Sequence, residues 1–217
     1  MKGRIQMDAR QQAFKNQALG IIKKLELRGM EGFYCENKEQ ALLKALELMK
    51  PGSSITWGGS ETLKEIGMFD AIQKADYVLY DRDKVETPEE KKAFYAKQVA
   101  ADYFLMSTNA ITLDGQLVNI DGNGNRVACL ITGPENVIVI AGKNKVSVNV
   151  EQAIDRVRNI ASPPNAVRLN KHTGCFELGR CVDCLNDDCI CCHTVVTRNS
   201  RVKNRIKVIL VGEELGY

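Results

Sequence analysis

The sequence lacks long apolar runs, blocks of one charge, internal repeats and low-complexity tracts. No stretch approaches the roughly 18 apolar residues of a membrane span, and residues 1–24 lack the uninterrupted apolar segment of a signal peptide. The 30 basic and 27 acidic side chains are scattered, which argues against a nucleic-acid or membrane partner. No flavin or nicotinamide fingerprint is evident, so we expect no nucleotide cofactor. We therefore expect a cytoplasmic protein.

The composition is that of a folded domain. A chain of 217 residues that is 44% hydrophobic can bury a core of ordinary size. We expect a single domain, 1–217, with a small cysteine-rich lobe at 170–195. Because the cytosol keeps thiols reduced, the eight cysteines are interpreted first as core residues, metal ligands or redox groups.

Strand-like and helical segments alternate along the chain. Strand-like runs predict strands at 54–57, 77–80, 103–106, 137–140 and 207–211. Of the helical patterns between them, the clearest begins with Thr87, Pro88 and Glu90, which suit a capping box. This alternation predicts an α/β fold with a mostly parallel central sheet flanked by helices. An Asp-Gly turn between 109–112 and 117–120 predicts one antiparallel excursion, and the segment 162–165 is expected to end a helix at 149–160.

Two loop regions carry the candidate binding residues. Gly58, Gly59, Ser60 and Thr62 follow the strand 54–57 and precede a helix, an order that suits the approach of an anion. Further on, polar residues cluster in loops that are expected to lie at one end of the sheet: Asn109, Asn119, Asp121, Asn125 and Arg126. Turn formation alone would explain both regions equally well, with Ser60 acting only as a helix cap.

Four runs, in this order and spacing, resemble the LUD family of lactate-utilisation proteins: WGGSETLKEIG, STNAITLDGQLVNIDGNGNRVA, GPENVIVIAGKNKV and IKVILVGEELGY. The resemblance covers essentially the whole chain. It implies a fold similar to ribose-5-phosphate isomerase and the CoA-transferases (NagB/RpiA/CoA transferase-like), with the cleft at the carboxyl ends of the central strands. The chain shows no glutamate nucleophile of the CoA-transferase kind.

The resemblance also nominates site residues. It implies a ligand loop of Gly58, Gly59, Ser60 and Thr62, with Asn109, Asp121, Gly122, Asn125 and Arg126 in the cleft. Lys143 and Lys145 follow the strand 137–140, where a cation can meet an anionic substrate, although exposed lysine is the default. Within this set we expect Asp121, Asn109, Arg126 and Lys143 to be catalytic, and the others, including Lys145, to bind the ligand.

Six of the eight cysteines fall within 175–192, spaced C-x5-C-x2-C-x4-C-x-C-C. Because two thiolates two residues apart can bind one ion, this spacing predicts a zinc or 4Fe-4S site. The predicted ligands are Cys175, Cys181, Cys184 and Cys191. The surplus thiols of Cys189 and Cys192, and the histidines 172 and 193, remain alternative ligands.

Three functions stay open. The resemblance implies participation in the oxidation of L-lactate to pyruvate with an iron–sulfur partner protein. A second possibility is a stand-alone enzyme for a small phosphorylated or carboxylated metabolite, with Asp121 as general base and Arg126 or Lys143 neutralising charge. The third is a metal or redox sensor whose working part is the cysteine lobe. A small anionic metabolite is the expected ligand in the first two, and a homo-oligomer is compatible with each.

Overall fold

Alternating helices and strands build the chain, whose computed structural model describes residues 8–217. The first seven residues, which the single-domain prediction included, lie outside the described residues. The helices are α1 (Ala9–Leu27), α2 (Lys38–Glu47), α3 (Glu61–Glu65), α4 (Met68–Lys74), α5 (Pro88–Val99), α6 (Asn125–Ile131), α7 (Val150–Arg156), α8 (Ser162–Arg168) and α9 (Gly174–Leu178). The strands are β1 (Glu31–Cys35), β2 (Ser54–Trp57), β3 (Val78–Tyr80), β4 (Tyr103–Met106), β5 (Ala110–Thr112), β6 (Leu117–Asp121), β7 (Asn136–Gly142), β8 (Val146–Ser147), β9 (His193–Thr197) and β10 (Ile206–Val211).

A six-stranded parallel sheet forms the centre of the fold, in the order β1-β10-β7-β4-β2-β3. The α/β class with a mostly parallel sheet flanked by helices is confirmed. Helices α2, α3 and α4 pack on one face, and α1 and α6 pack on the other. Strands β7 and β10 are apolar along most of their length because both of their faces are covered.

A second sheet of four strands, in the order β8-β5-β6-β9, lies beside the first. The antiparallel pairing of β5 with β6 is confirmed, and Gly115 takes the positive φ of 83° that their turn requires. The hairpin is not an excursion of the central sheet, however, because β9 pairs with β6 and β8 pairs with β5. Strand β9 was not predicted, since it is largely exposed and has no apolar core face.

The helical region after β8 is longer than the sequence predicts. Helix α7 continues through a π-helical turn, Val157–Ala161, into α8, so the expected end at 162–165 is wrong. Pro163 and Pro164 stand directly after the π-helical turn, where the regular α-helical hydrogen-bond pattern is already interrupted. The continuation carries Asn165 and Arg168 to the candidate site.

The capping box of α5 is confirmed. Thr87 Oγ1 accepts a hydrogen bond from the backbone N–H of Glu90, whose carboxylate in turn accepts one from the backbone N–H of Thr87. Among residues 8–217, no helix is both long and apolar enough to cross a membrane.

Candidate functional site

A cavity of about 420 Å³ opens at the carboxyl ends of four neighbouring strands, β7, β4, β2 and β3. The segments that follow these strands supply Lys145, Ser107, Gly59 and Arg82 to its lining. Parallel sheets place ligand sites at this edge because the loops there are free to vary while the strands stay fixed. The four residues are far apart in the sequence, and the sheet order alone brings them together.

Most of the residues proposed from the sequence line this cavity: Gly59, Ser60, Thr62, Asn109, Asp121, Gly122, Asn125, Arg126 and Lys145. Two of them do not. Gly58 lies beneath Arg126, and a Cβ at position 58 would stand 3.1 Å from the Arg126 side chain. Lys143 is exposed to solvent outside the cavity lining. The roles predicted for all of these residues remain predictions.

Lys145 is the most unusual side chain of the cavity. Its residue is only 4% exposed, and Nζ donates hydrogen bonds to Thr62 Oγ1 at 3.0 Å and to Ser107 Oγ at 2.9 Å. Burial, followed by the charges of Arg156 and Arg126, lowers the pKa of Lys145 from 10.5 to about 7. A side chain of this kind exchanges protons near neutral pH, whereas a solvated lysine does not.

A short 3-10 turn, Lys143–Lys145, explains why one of the two lysines is buried and the other exposed. Three residues make one turn of this helix, so the side chains of Lys143 and Lys145 leave its axis in different directions. Asn144, between them, holds the C-terminal segment through hydrogen bonds with Leu215 N and Gly216 O. The turn thus fixes Lys145 against the sheet edge.

Arg126 lines the cavity, but its guanidinium is fully engaged within the protein. Its five N–H groups reach Asp121 Oδ1, the side-chain oxygens of Asn109 and Asn119, and the backbone oxygens of Ser107 and Ile120. Burial lowers the pKa of Arg126, and the neighbouring Asp121 opposes this effect. With all its donors in use, Arg126 connects the four-stranded sheet to the carboxyl edge of the central sheet. It has no N–H free for a ligand.

Asp121 is similarly occupied. Its carboxylate accepts hydrogen bonds from Nε of Arg126 and from the backbone N–H groups of Arg126 and Val127, at 3.2 to 3.4 Å. Gly124, with φ at 79°, caps α6 and allows its first turn to fold back onto the end of β6. Asp121 is therefore well placed to orient Arg126 and poorly placed to accept a proton from a substrate.

The glycine loop serves partly as a helix cap. Ser60 Oγ accepts a hydrogen bond from Leu63 N at 3.3 Å, as an N-cap residue does. Helix α3 has only five residues, so the anion attraction expected of a longer helix is weak here. Thr62 instead contributes its hydroxyl, which donates to Leu215 O and accepts from Lys145.

Several lining residues were not proposed from the sequence. Arg82 follows β3 and lies against Gly59, where a Cβ would stand 3.2 Å from one of its Nη atoms. Ser107 follows β4 directly, and its position after a buried strand could have identified it. Arg168 and Lys171 line the same cavity but pair with Glu61 at 3.6 Å and Asp188 at 2.9 Å.

The cysteine lobe contains α9, the loop up to Cys192 and the start of β9. Protein donors surround several of its sulfurs: Thr173 Oγ1 lies 3.2 Å from Cys175 Sγ, and Arg158 Nε donates to Cys181 Sγ at 3.2 Å. Cys192 Sγ donates to the backbone oxygen of Cys189 at 3.4 Å, and Cys189 itself lines the cavity. The lobe therefore forms one wall of the cavity.

The six clustered cysteines are all free thiols. In the described part of the chain, no three histidine, cysteine, aspartate or glutamate side chains are arranged so that they could hold one ion. The donor chemistry suits zinc or an iron–sulfur cluster, but the thiols would have to move closer together to bind either. The metal site stays a prediction.

A comparison with family models matches the LUD domain over residues 20–211. No curated protein matches the chain. Among solved structures, a DUF162 family protein from Deinococcus radiodurans is similar, with a TM-score of 0.51 at 15% identity over 91% of this chain and 97% of that one. This identity is too low to indicate more than a shared fold. The family match covers most of the chain, and the protein belongs to the LUD domain family.

Proposed function

We propose that the cavity binds a small 2-hydroxy or 2-oxo carboxylate, and that the protein takes part in oxidising L-lactate to pyruvate together with an iron–sulfur partner. Membership of the LUD domain family, which is associated with lactate utilisation, supports this role. The observation that carries the proposal is the buried nitrogen of Lys145, which lines the cavity and contacts two hydroxyls. A buried amine of this kind is stabilised by an oxygen-rich anion that supplies another acceptor.

Arg82 is suited to bind the carboxylate. It lies at the cavity beside the glycine loop, and its ionic partner is the exposed Asp83, 3.5 Å away. Exposed ion pairs are weak, so a ligand can displace this one. A guanidinium binds a carboxylate through two parallel hydrogen bonds, and Gly59 leaves room beside it. Arg82 would then hold one end of the acid while Lys145 contacts the oxygen on C2.

The chemistry follows from the state of Lys145. Oxidation of a hydroxy acid removes the hydroxyl proton, together with two electrons and the proton on C2. With its pKa at about 7, the Lys145 amine is available as the acceptor of the hydroxyl proton at neutral pH. The sequence has no nucleotide fingerprint, so we assign the acceptance of electrons to the iron–sulfur partner.

Titration calorimetry with L-lactate and pyruvate tests the binding step. We expect both acids to bind, and Arg82→Gln to weaken them by about tenfold, the loss of roughly 1.4 kcal/mol of ionic hydrogen bonding. Lys84→Gln is the matched control, because Lys84 belongs to the same 3-10 turn, Arg82–Lys84, but lies outside the cavity lining. If neither L-lactate nor pyruvate binds, the proposal is rejected.

Reconstituted lactate oxidation tests the role. The rate of pyruvate formation is measured with the iron–sulfur partner present, with and without this chain. We expect the rate to depend on the chain and to fall in Arg82→Gln. An unchanged rate when the chain is omitted would remove the lactate-oxidation role, whatever the calorimetry shows.

A second candidate is favoured by the size of the cavity. About 420 Å³ falls within the range of sites for drug-sized ligands and exceeds the needs of a three-carbon acid. Arg168 and Lys171 also line the cavity, and a phosphorylated metabolite would compete for them with their carboxylate partners, Glu61 and Asp188. In the same calorimetry, strong binding of a sugar phosphate with no binding of lactate or pyruvate would favour this function instead.

For the cysteine lobe, we propose that Cys175, Cys181, Cys184 and Cys191 bind zinc or a 4Fe-4S cluster. Six thiols within 175–192 and the absence of disulfides among the described residues support the donor set. Bound metal would cross-link a lobe that has little regular structure, coupling binding to its folding. Because Cys189 also lines the cavity, order in the lobe would help to define the cavity wall.

A further inference from the structure

Three cations that are wholly or largely buried lie close together at the sheet edge, and one of them has no ionic or carbonyl partner among the described residues. Arg126 pairs with Asp121, and Arg156 donates to the backbone oxygens of Asn144 and Asn109, both at 2.7 Å. Lys145 contacts only hydroxyl groups among the described residues. Protein surroundings therefore hold the two arginines as cations but do little to keep the lysine charged.

The hydrogen bonds around Lys145 have a defined direction. The hydroxyl of Thr62 donates to Leu215 O at 3.2 Å, and that of Ser107 donates to Thr108 O at 3.3 Å. Because both hydroxyl protons are used in this way, each oxygen receives an N–H from Lys145. A neutral amine has two N–H groups, and both are thereby occupied. No donor from residues 8–217 is hydrogen-bonded to the nitrogen lone pair.

The charges around the amine favour its neutral form. Arg156 and Arg126 act against protonation, and Glu65 acts for it more weakly. Together with burial they lower the pKa of Lys145 to about 7. A neutral, buried amine that borders a cavity has the properties of lysines that attack carbonyl carbons.

We propose that Nζ of Lys145 forms a reversible imine with C2 of a 2-oxo acid bound in the cavity. The proposal rests on the proposed function, since the oxo acid is the product of that oxidation. The lone pair of Nζ adds to the carbonyl carbon, and the carbonyl oxygen takes up protons and leaves as water as the C=N bond forms. Nitrogen gives up its two protons in the process, so no oxidant or reductant is needed.

The imine would distinguish the oxo acid from the hydroxy acid. Pyruvate has the carbonyl that the amine attacks, whereas lactate has a hydroxyl and can only form hydrogen bonds. The hydroxyls of Thr62 and Ser107 lie next to the nitrogen and can relay its protons during addition and loss of water. The protein would thus capture the product covalently and release it by hydrolysis.

Reductive trapping tests the proposal. The full-length protein is incubated with pyruvate and sodium cyanoborohydride, and modified lysines are mapped by peptide mass spectrometry. We expect one dominant adduct on Lys145, formed at least about tenfold faster than on any other lysine, because its amine is neutral near pH 7.5 while solvated lysines remain protonated. Excess L-lactate should slow the trapping by competing for the cavity.

Two variants serve as controls. Lys145→Arg keeps a cation but removes the nucleophile, so the dominant adduct should disappear, and circular dichroism checks that it folds. Lys64→Arg alters an exposed lysine of α3 that lies outside the cavity lining, and it should leave trapping unchanged. If Lys145→Arg does not fold, peptide mapping of the unmodified sequence still decides the question.

The outcomes separate this inference from the proposed function. Pyruvate binding by calorimetry with no adduct on Lys145 would overturn the imine and leave the binding proposal intact. A dominant adduct on Lys143 or on another surface lysine would also overturn it. If pyruvate and lactate neither bind nor react, both proposals fail together.

Discussion

Replacing Lys145 with methionine is expected to stabilise the protein at and below neutral pH. Methionine has a similar length and no charge, so it removes the cost of burying the ammonium. A pKa that falls from 10.5 to about 7 on folding corresponds to an unfavourable term of about 5 kcal/mol. The substitution also removes two hydrogen bonds worth about 1 kcal/mol each, which leaves a net gain of about 3 kcal/mol.

The difference in the free energy of unfolding between Lys145→Met and the unmodified protein should shrink as the pH rises. The folded-state pKa of Lys145 lies below the unfolded value, so between about pH 7 and about pH 10.5 the unfolded chain binds one more proton than the folded one. The stability of the unmodified protein therefore rises with pH in this window, by about 1.4 kcal/mol per pH unit. Below about pH 7 Lys145 is protonated in both the folded and the unfolded chain, so the stability that Lys145→Met gains no longer changes with pH.

Urea unfolding under reducing conditions at about pH 6, 8 and 9.5 measures this effect. We expect Lys145→Met to be the more stable protein at the lowest pH and to lose its advantage by the highest. Lys143→Met, in which the exposed lysine of the same turn is changed, should shift stability by no more than about 0.5 kcal/mol at any pH. A constant loss of stability in Lys145→Met across the three pH values would refute the lowered pKa of Lys145 and the chemistry built on it.

Three further predictions concern other parts of the molecule. Arg126→Met should lower the free energy of unfolding by about 3–5 kcal/mol in urea titrations, because it removes the cation that pairs with the largely buried Asp121 carboxylate and the donors to the oxygens of Asn119 and Asn109. A loss below about 1 kcal/mol would contradict the role given to Arg126. Gly142→Ala should destabilise the protein by about 1–3 kcal/mol, since its Cβ would meet backbone atoms at 2.5 and 2.8 Å. Gly20→Ala on α1, where a Cβ has open space, should instead stabilise it by up to about 1 kcal/mol. A higher melting temperature for Gly142→Ala than for Gly20→Ala would be inconsistent with this packing. Elemental analysis and visible spectra of anaerobically purified protein should show zinc or iron that is lost in Cys184→Ser and retained in Cys192→Ser, and a metal-free protein of native stability would end the metal prediction.

Local features of the fold could be predicted from the sequence because their causes are local. The capping box at Thr87 and Glu90 starts α5 where expected, since the cap and its partner are three residues apart. Strands β2 and β4 match the predicted strand-like runs, and β4 is apolar throughout because both of its faces are covered. The π-helical turn before α8 was missed, since prolines in a first turn look the same as prolines that end a helix.

The candidate site was predictable only in part. Most of the polar residues chosen from the sequence line the cavity, because loops after parallel strands gather at one edge of the sheet. Arg82 was missed because β3 is a three-residue edge strand whose place beside β2 depends on the order of the sheet. The choice between Lys143 and Lys145 depended on a single short turn that the sequence does not reveal.

The amino-acid sequence by itself determined the α/β class, the resemblance to the LUD family and the concentration of thiols near the C-terminus. These properties depend on periodicity, motif spacing and composition, which act between residues close in the chain. Tertiary structure alone decided that Lys145 is buried beside two hydroxyls and two arginines, that Arg126 has no donor left for a ligand, and that the cysteine lobe forms a wall of the cavity. The physical reason is that burial, charge proximity and hydrogen-bond direction depend on which distant segments the parallel sheet brings together.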